Sequence, residues 1–263
     1  MDFVSSQAGK GVVERRFDLK VDQEVVPGVL WSPEGADGPT PLILIGHGGT
    51  QHKRVPNVLG MARGLVRHLG YSAAAIDAVG HGDRVVDQAA AAEARRALEQ
   101  RISAGPGQGG APAMGAEQAR QWVHRTERGV IEWKATLDAL QGAGLADDRV
   151  GYWGVSMGTA IGLPFVAAEA RVRAAVLGLA GLSNRPGAAA FESAARSLSA
   201  PVLFVFQWDD ELMSRQSGLD LFDAIGAEDK AMHIFPGGHI GTPLYEREAY
   251  ESFFLRHLGP AAA

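Results

Sequence analysis

Cysteine is absent from this sequence of 263 residues. That excludes disulfides, thiolate nucleophiles and cysteine-ligated metals outright. No stretch approaches the roughly 18 apolar residues that a membrane-spanning helix requires. The N-terminal MDFVSSQAGKGVVERR carries an acid at Asp2 and no apolar run of signal-peptide length. An excess of positive charge is missing too: 25 Lys and Arg stand against 30 Asp and Glu, a formal net charge of -5. Such a balance argues against nucleic acid or an anionic membrane as the main partner. Together these absences predict a soluble, cytoplasmic protein. Nothing marks a metal or a cofactor, and no feature indicates an oligomeric state.

What remains is the composition of a globular protein, with 46% hydrophobic and 21% charged residues. The length fits one larger α/β domain better than two domains, and it can bury a substantial core. Residues 12–31 (VVERRFDLKVDQEVVPGVLW) alternate and are rich in β-branched side chains, which predicts an antiparallel hairpin turning near Asp22-Gln23. LILIG (42–46) is short and uniformly apolar, as a strand buried on both faces would be. Strand and helix signals then alternate. Strands are expected at 71–77, 149–155, 173–180, 202–207 and 231–235, and helices at 55–69, 117–141, 157–170, 214–225 and 243–258. That order predicts a mainly parallel central sheet with helices on both faces. Residues 83–116 break the rhythm, running from the Ala/Arg/Glu-rich DQAAAAEARRALEQR into the Gly/Pro-rich SAGPGQGGAPAMG. A long insertion of this kind reads as a small cap or lid; the alternative is a surface excursion without a role.

The strongest chemical signal is GVSMG, Gly154–Gly158, a G-x-S-x-G between an apolar strand and a helix. A sharp strand-to-helix turn of this kind strains the serine backbone and lifts its hydroxyl above the sheet. This makes Ser156 the candidate nucleophile. HGGT, His47–Thr50, follows the strand at 42–46. A tetrahedral intermediate needs two N–H donors, and Gly49 and Met157 are placed to provide them. A phosphate-binding turn is the other reading of HGG, but the spacing of the phosphate-loop motifs is missing. A serine needs a base, and the base needs an orienting acid. Of 8 histidines, His239 in PGGHIGTP lies after the last strand, where such sheets build their sites. The acid is expected in WDDELM after the strand at 202–207: Asp210 first, Asp209 as its alternative. The loop GLSNRPG after the strand at 173–180 contains no carboxylate. Trp153, Trp208 and Met213 border these loops and are candidates for a substrate pocket, although Trp153 reads equally well as core.

With HGG, the D-x-x-G-H-G of Asp77–Gly82, GVSMG, WDDELM and GGH in order, the chain resembles the α/β-hydrolase superfamily over nearly its whole length. The resemblance is closest to the dienelactone-hydrolase-like and prolyl-oligopeptidase-like serine esterases. It implies a Ser-His-Asp hydrolase acting on a small carboxylic ester, thioester or amide, with Ser156 where dienelactone hydrolases themselves use cysteine. It also implies a structural role for Asp77, Gly80, His81 and Gly82. Acyl transfer would use the same groups, and a non-catalytic receptor would keep the pocket without turnover.

Overall fold

Asp22, with φ of 55°, turns the chain between β2 (Val12–Val21) and β3 (Glu24–Pro33), the predicted hairpin. Asp tolerates this left-handed conformation better than most residues. The computed structural model describes residues 1–105, 114–182 and 186–261. A strand that the pattern did not announce, β1 (Asp2–Gly9), precedes the hairpin and pairs antiparallel with β2 through a turn at Lys10-Gly11. All its residues are exposed, so it buries no face and leaves no hydrophobic periodicity to read.

The other strands are β4 (Thr40–Gly46), β5 (Ser72–Ile76), β6 (Ala146–Val155), β7 (Val172–Gly178), β8 (Val202–Gln207) and β9 (Lys230–Phe235). They build one sheet in the order β1-β2-β3-β5-β4-β6-β7-β8-β9, antiparallel as far as β5 and parallel from there. The helices are α1 (Pro56–Gly64), α2 (Gln88–Ser103), α3 (Ala116–Gly142), α4 (Met157–Ala168), α5 (Ala188–Ser197), α6 (Arg215–Ala224) and α7 (Glu246–Leu258). α1 widens into a looser turn at Leu65–Leu69 and stops at Gly70, φ 69°. One core joins Trp133, Leu137, Ile161 and Leu221 of α3, α4 and α6 to one sheet face. The second joins Val58, Met61, Phe253 and Phe254 of α1 and α7 to the other. Each such buried side chain contributes about 1.5–3 kcal/mol relative to exposure. Among the described residues no helix is long and apolar enough to cross a membrane.

The segment 83–116 divides. Asp83 and Arg84 belong to the body of the domain: Asp83 pairs with Lys53 at 2.7 Å, and Arg84 with Glu132 at 2.8 Å. Asp87 then caps α2, accepting the N–H groups of Ala89 and Ala90 at 2.9 and 3.0 Å. α2 has no buried residue. The Gly/Pro-rich stretch lies mostly at 106–113, outside the described residues.

Candidate active site

β6 runs into α4 through Ser156, whose φ of 58° and ψ of -118° are strained for a residue with a side chain. The turn is held from below. Thr159 Oγ1 lies 2.8 and 2.7 Å from the carbonyls of Gly154 and Gly178 and accepts the Gly178 N–H. Tyr152 fills the space beneath, its hydroxyl donating to Gly158 O at 2.8 Å. A Cβ on Gly46 or Gly162 would come within 2.0 or 2.1 Å of Tyr152, so these glycines let β4 and α4 close onto its ring.

His239, in the loop after β9, places Nε2 2.9 Å from Ser156 Oγ and Nδ1 2.8 Å from Asp210 Oδ2. Asp210 follows β8, and its side chain has no solvent exposure. Its other oxygen accepts the N–H groups of Leu212 and Met213 at 2.8 and 2.9 Å. Asp209 points elsewhere: it is 47% exposed and lies 3.7 Å from Arg215. Glu211, which the sequence did not single out, accepts the backbone N–H of His239 at 2.8 Å. The adjacent acids Asp210 and Glu211 thus hold one histidine twice, by ring and by main chain. The Gln207 amide ties the ends of the same loop, donating to Phe235 O at 3.2 Å and accepting the Thr242 N–H at 2.8 Å.

On the opposite side, the Ala78 N–H donates to His47 Nε2 at 3.1 Å, so the ring proton is on Nδ1 and is donated to Gly48 O at 2.8 Å. Burial holds the His47 imidazolium pKa below its usual value. In a trans peptide C=O and N–H oppose each other, so fixing Gly48 O turns the Gly49 N–H away from the His47 ring. The Gly48 N–H is occupied by Gln51 Oε1 at 3.1 Å. Among the described residues no acceptor faces the N–H of Gly49 or of Met157. Asp77 anchors the far end of this loop, accepting Lys53 N at 2.9 Å and Lys53 Nζ at 2.5 Å. His81, packed on His47, has its pKa pushed down to about 4, first by burial and then by His47 and Arg125.

Ser156, His239, Gly49 and Met157 border a cavity of about 1870 Å³. Trp153 and Met213 line it as well, with Trp153 also packed against Tyr250 in the core. Trp208 does not join them. It is 43% exposed, with the Arg215 guanidinium 3.7 Å over its ring. α2 contributes Leu98 and Ile102 to the cavity wall.

The chain is similar over 98% of its length to a cold-adapted esterase from an Arctic intertidal metagenomic library, with 33% identity, all of that chain covered, and a TM-score of 0.80. The chain belongs to the family of that esterase and has the α/β-hydrolase fold. An acetyl xylan esterase from Paenibacillus sp. R4 shares this hydrolase's fold at 18% identity and a TM-score of 0.73, over 98% of this chain and 88% of that one. A putative dienelactone hydrolase from Klebsiella pneumoniae subsp. pneumoniae does so at 15% identity and 0.67, over 94% and 100%. No family model and no curated protein matches the sequence of the hydrolase.

Proposed function

We propose that this hydrolase cleaves small carboxylic esters through an acyl-enzyme on Ser156. The observation that carries the reading is the continuous chain from Asp210 to His239 at 2.8 Å and from His239 to Ser156 at 2.9 Å. As Ser156 Oγ attacks the ester carbonyl, His239 Nε2 takes its proton. Asp210 keeps the ring proton on Nδ1 and stabilises the imidazolium that forms. The N–H groups of Met157 and Gly49 receive the negative charge developing on the carbonyl oxygen. His239 returns the proton to the departing alcohol, and the same groups then activate water against the acyl-serine. The cap helix α2 sets which esters enter. It stands over the cavity without a buried residue of its own, and the five groups named in the mechanism lie on other elements.

A fluorophosphonate probe and p-nitrophenyl acetate test the reading. The wild-type protein should label at Ser156 and hydrolyse the acetate. Ser156→Ala should fold normally, resist labelling and lose about four to six orders of magnitude in kcat. A pure, folded Ser156→Ala protein with more than a few per cent of the activity would overturn it.

A further inference from the structure

Arg125 projects from α3 into the wall of the cavity that holds Ser156 and His239. Its Nε donates to Val79 O at 2.9 Å, and its Nη2 lies 3.6 Å from the position a Cβ on Gly80 would take. The guanidinium is therefore fixed in plane beside the loop at 79–81, while its Nη atoms donate to no described group. No carboxylate pairs with it among the described residues. The segments outside them, 106–113, 183–185 and 262–263, contain no Asp or Glu. Two neighbouring arginines do have acids: Arg84 holds Glu132 and Glu24, and Arg128, one turn along α3, holds Asp22. Acids also border the cavity, but among the described residues none pairs with Arg125. Glu192 binds Arg196, Asp220 binds Gln216, and Glu127 is exposed.

A partly buried cation without a counter-charge is costly, and the cost falls when a ligand supplies the anion. Burial alone moves the Arg125 pKa, downwards, with no acid offsetting it. Even so a guanidinium stays protonated throughout the working range, and its planar fork suits a carboxylate held by two parallel hydrogen bonds.

We infer that Arg125 is a specificity residue that binds a carboxylate on the substrate, so that the preferred esters are anionic. This rests on the ester-hydrolase reading above and adds the substrate class to it. The carboxylate belongs either to the acyl half, as in a half-ester of a dicarboxylic acid, or to the alcohol half, as in an ester of a hydroxy acid.

Two matched pairs separate these sources. p-Nitrophenyl hemiglutarate is compared with its neutral methyl ester, and 4-acetoxybenzoate with methyl 4-acetoxybenzoate. Rates are divided by those of hydroxide-catalysed hydrolysis to remove intrinsic reactivity. The wild-type protein should favour the charged member of one pair by about ten- to a hundredfold in kcat/KM, through a lower KM. That ratio should fall at least tenfold in Arg125→Met and take an intermediate value in Arg125→Lys. It should also fall with added salt. A purely structural role for Arg125 would lower rates on both members of a pair and leave the ratio in place. Titration of Ser156→Ala with the preferred charged substrate reads the site without turnover, and adding Arg125→Met should weaken Kd at least tenfold. A wild-type ratio near one in both pairs, or a ratio unchanged in Arg125→Met, overturns the inference while hydrolysis of p-nitrophenyl acetate still supports the ester-hydrolase reading. Loss of acetate hydrolysis overturns that reading, and titration of Ser156→Ala with the charged member of each pair, with and without Arg125→Met, then decides the anion site by itself.

Discussion

Asp210→Asn changes one atom and almost no volume, and the contacts of Asp210 fix what that atom does. Oδ1 accepts two backbone N–H groups, from Leu212 and Met213, so the amide oxygen must stay there. The amide nitrogen then replaces Oδ2, 2.8 Å from His239 Nδ1. Because it donates, Nδ1 must become the acceptor, and the ring proton moves to Nε2. That nitrogen faces Ser156 Oγ at 2.9 Å and can no longer take the serine proton. The imidazolium also loses its neighbouring charge. Wrong-tautomer substitutions of this kind cost about 10⁴ in kcat, or about 5 kcal/mol of barrier. KM should barely move, since Asp210 is buried behind His239. Asp209→Asn is the internal control: half-exposed and 3.7 Å from Arg215, it should change kcat by less than about threefold. The assay is kcat and KM on p-nitrophenyl acetate at pH 8, for variants whose melting temperatures match the wild type. More than about 1% residual kcat in the Asp210→Asn protein, or a crippled Asp209→Asn protein, would refute the assignment of the triad acid.

Glu211→Ala should lower kcat about tenfold or more by freeing the His239 main chain, with Glu211→Gln recovering most of it because the amide oxygen still accepts; steady-state kinetics of the two variants decide. His81 is neutral in the fold with a pKa of about 4, whereas the unfolded chain titrates near 6.5, so the unfolded state binds more protons between those values. Stability should therefore be full above about pH 6.5 and fall as pH drops towards 4, by up to about 3 kcal/mol from this group. Urea melts across that window should show a smaller loss in His81→Asn. Replacing residues 87–114 with a short Gly/Ser linker, which spares the Asp83 and Arg84 anchors, should shift KM and acyl-length preference while p-nitrophenyl acetate is still cleaved. Identical substrate profiles with and without the segment would show that α2 does not govern entry.

What could be read from the sequence follows from what leaves a pattern. The interior strands are apolar on both faces and bounded by turn residues, so LILIG and VLFVFQ announce themselves. The Ser156 turn is visible because close approach demands small residues at fixed spacing. β1 leaves no trace because it buries none of its side chains. α5 was missed for a related reason: GAAAFESAARS is Ala-rich and buries only Ala195 within the helix. Glu211 was hidden because a side chain that holds a distant main-chain N–H requires nothing particular of its neighbours. Trp208 misled by its position in the chain. Successive side chains at a strand end point to opposite sides, and Gln207 takes the inner one, which turns the indole out towards Arg215. Arg125 was invisible for a different reason, since lacking a counter-charge is a property of the packed fold.

The packing of Gly46 and Gly162 against Tyr152 constrains how this hydrolase can evolve. A methyl group added at Gly46 would be driven into the Tyr152 hydroxyl and one at Gly162 into its ring, and shrinking Tyr152 alone would empty a fully buried site and free the Gly158 carbonyl. Each single step is therefore downhill in fitness, even where the combined change fits. Alanine at position 162 should be tolerated only on a background that already carries a smaller residue at 152. Such sign epistasis would leave the floor of the serine turn nearly frozen, while α2 and the cavity wall remain free to drift.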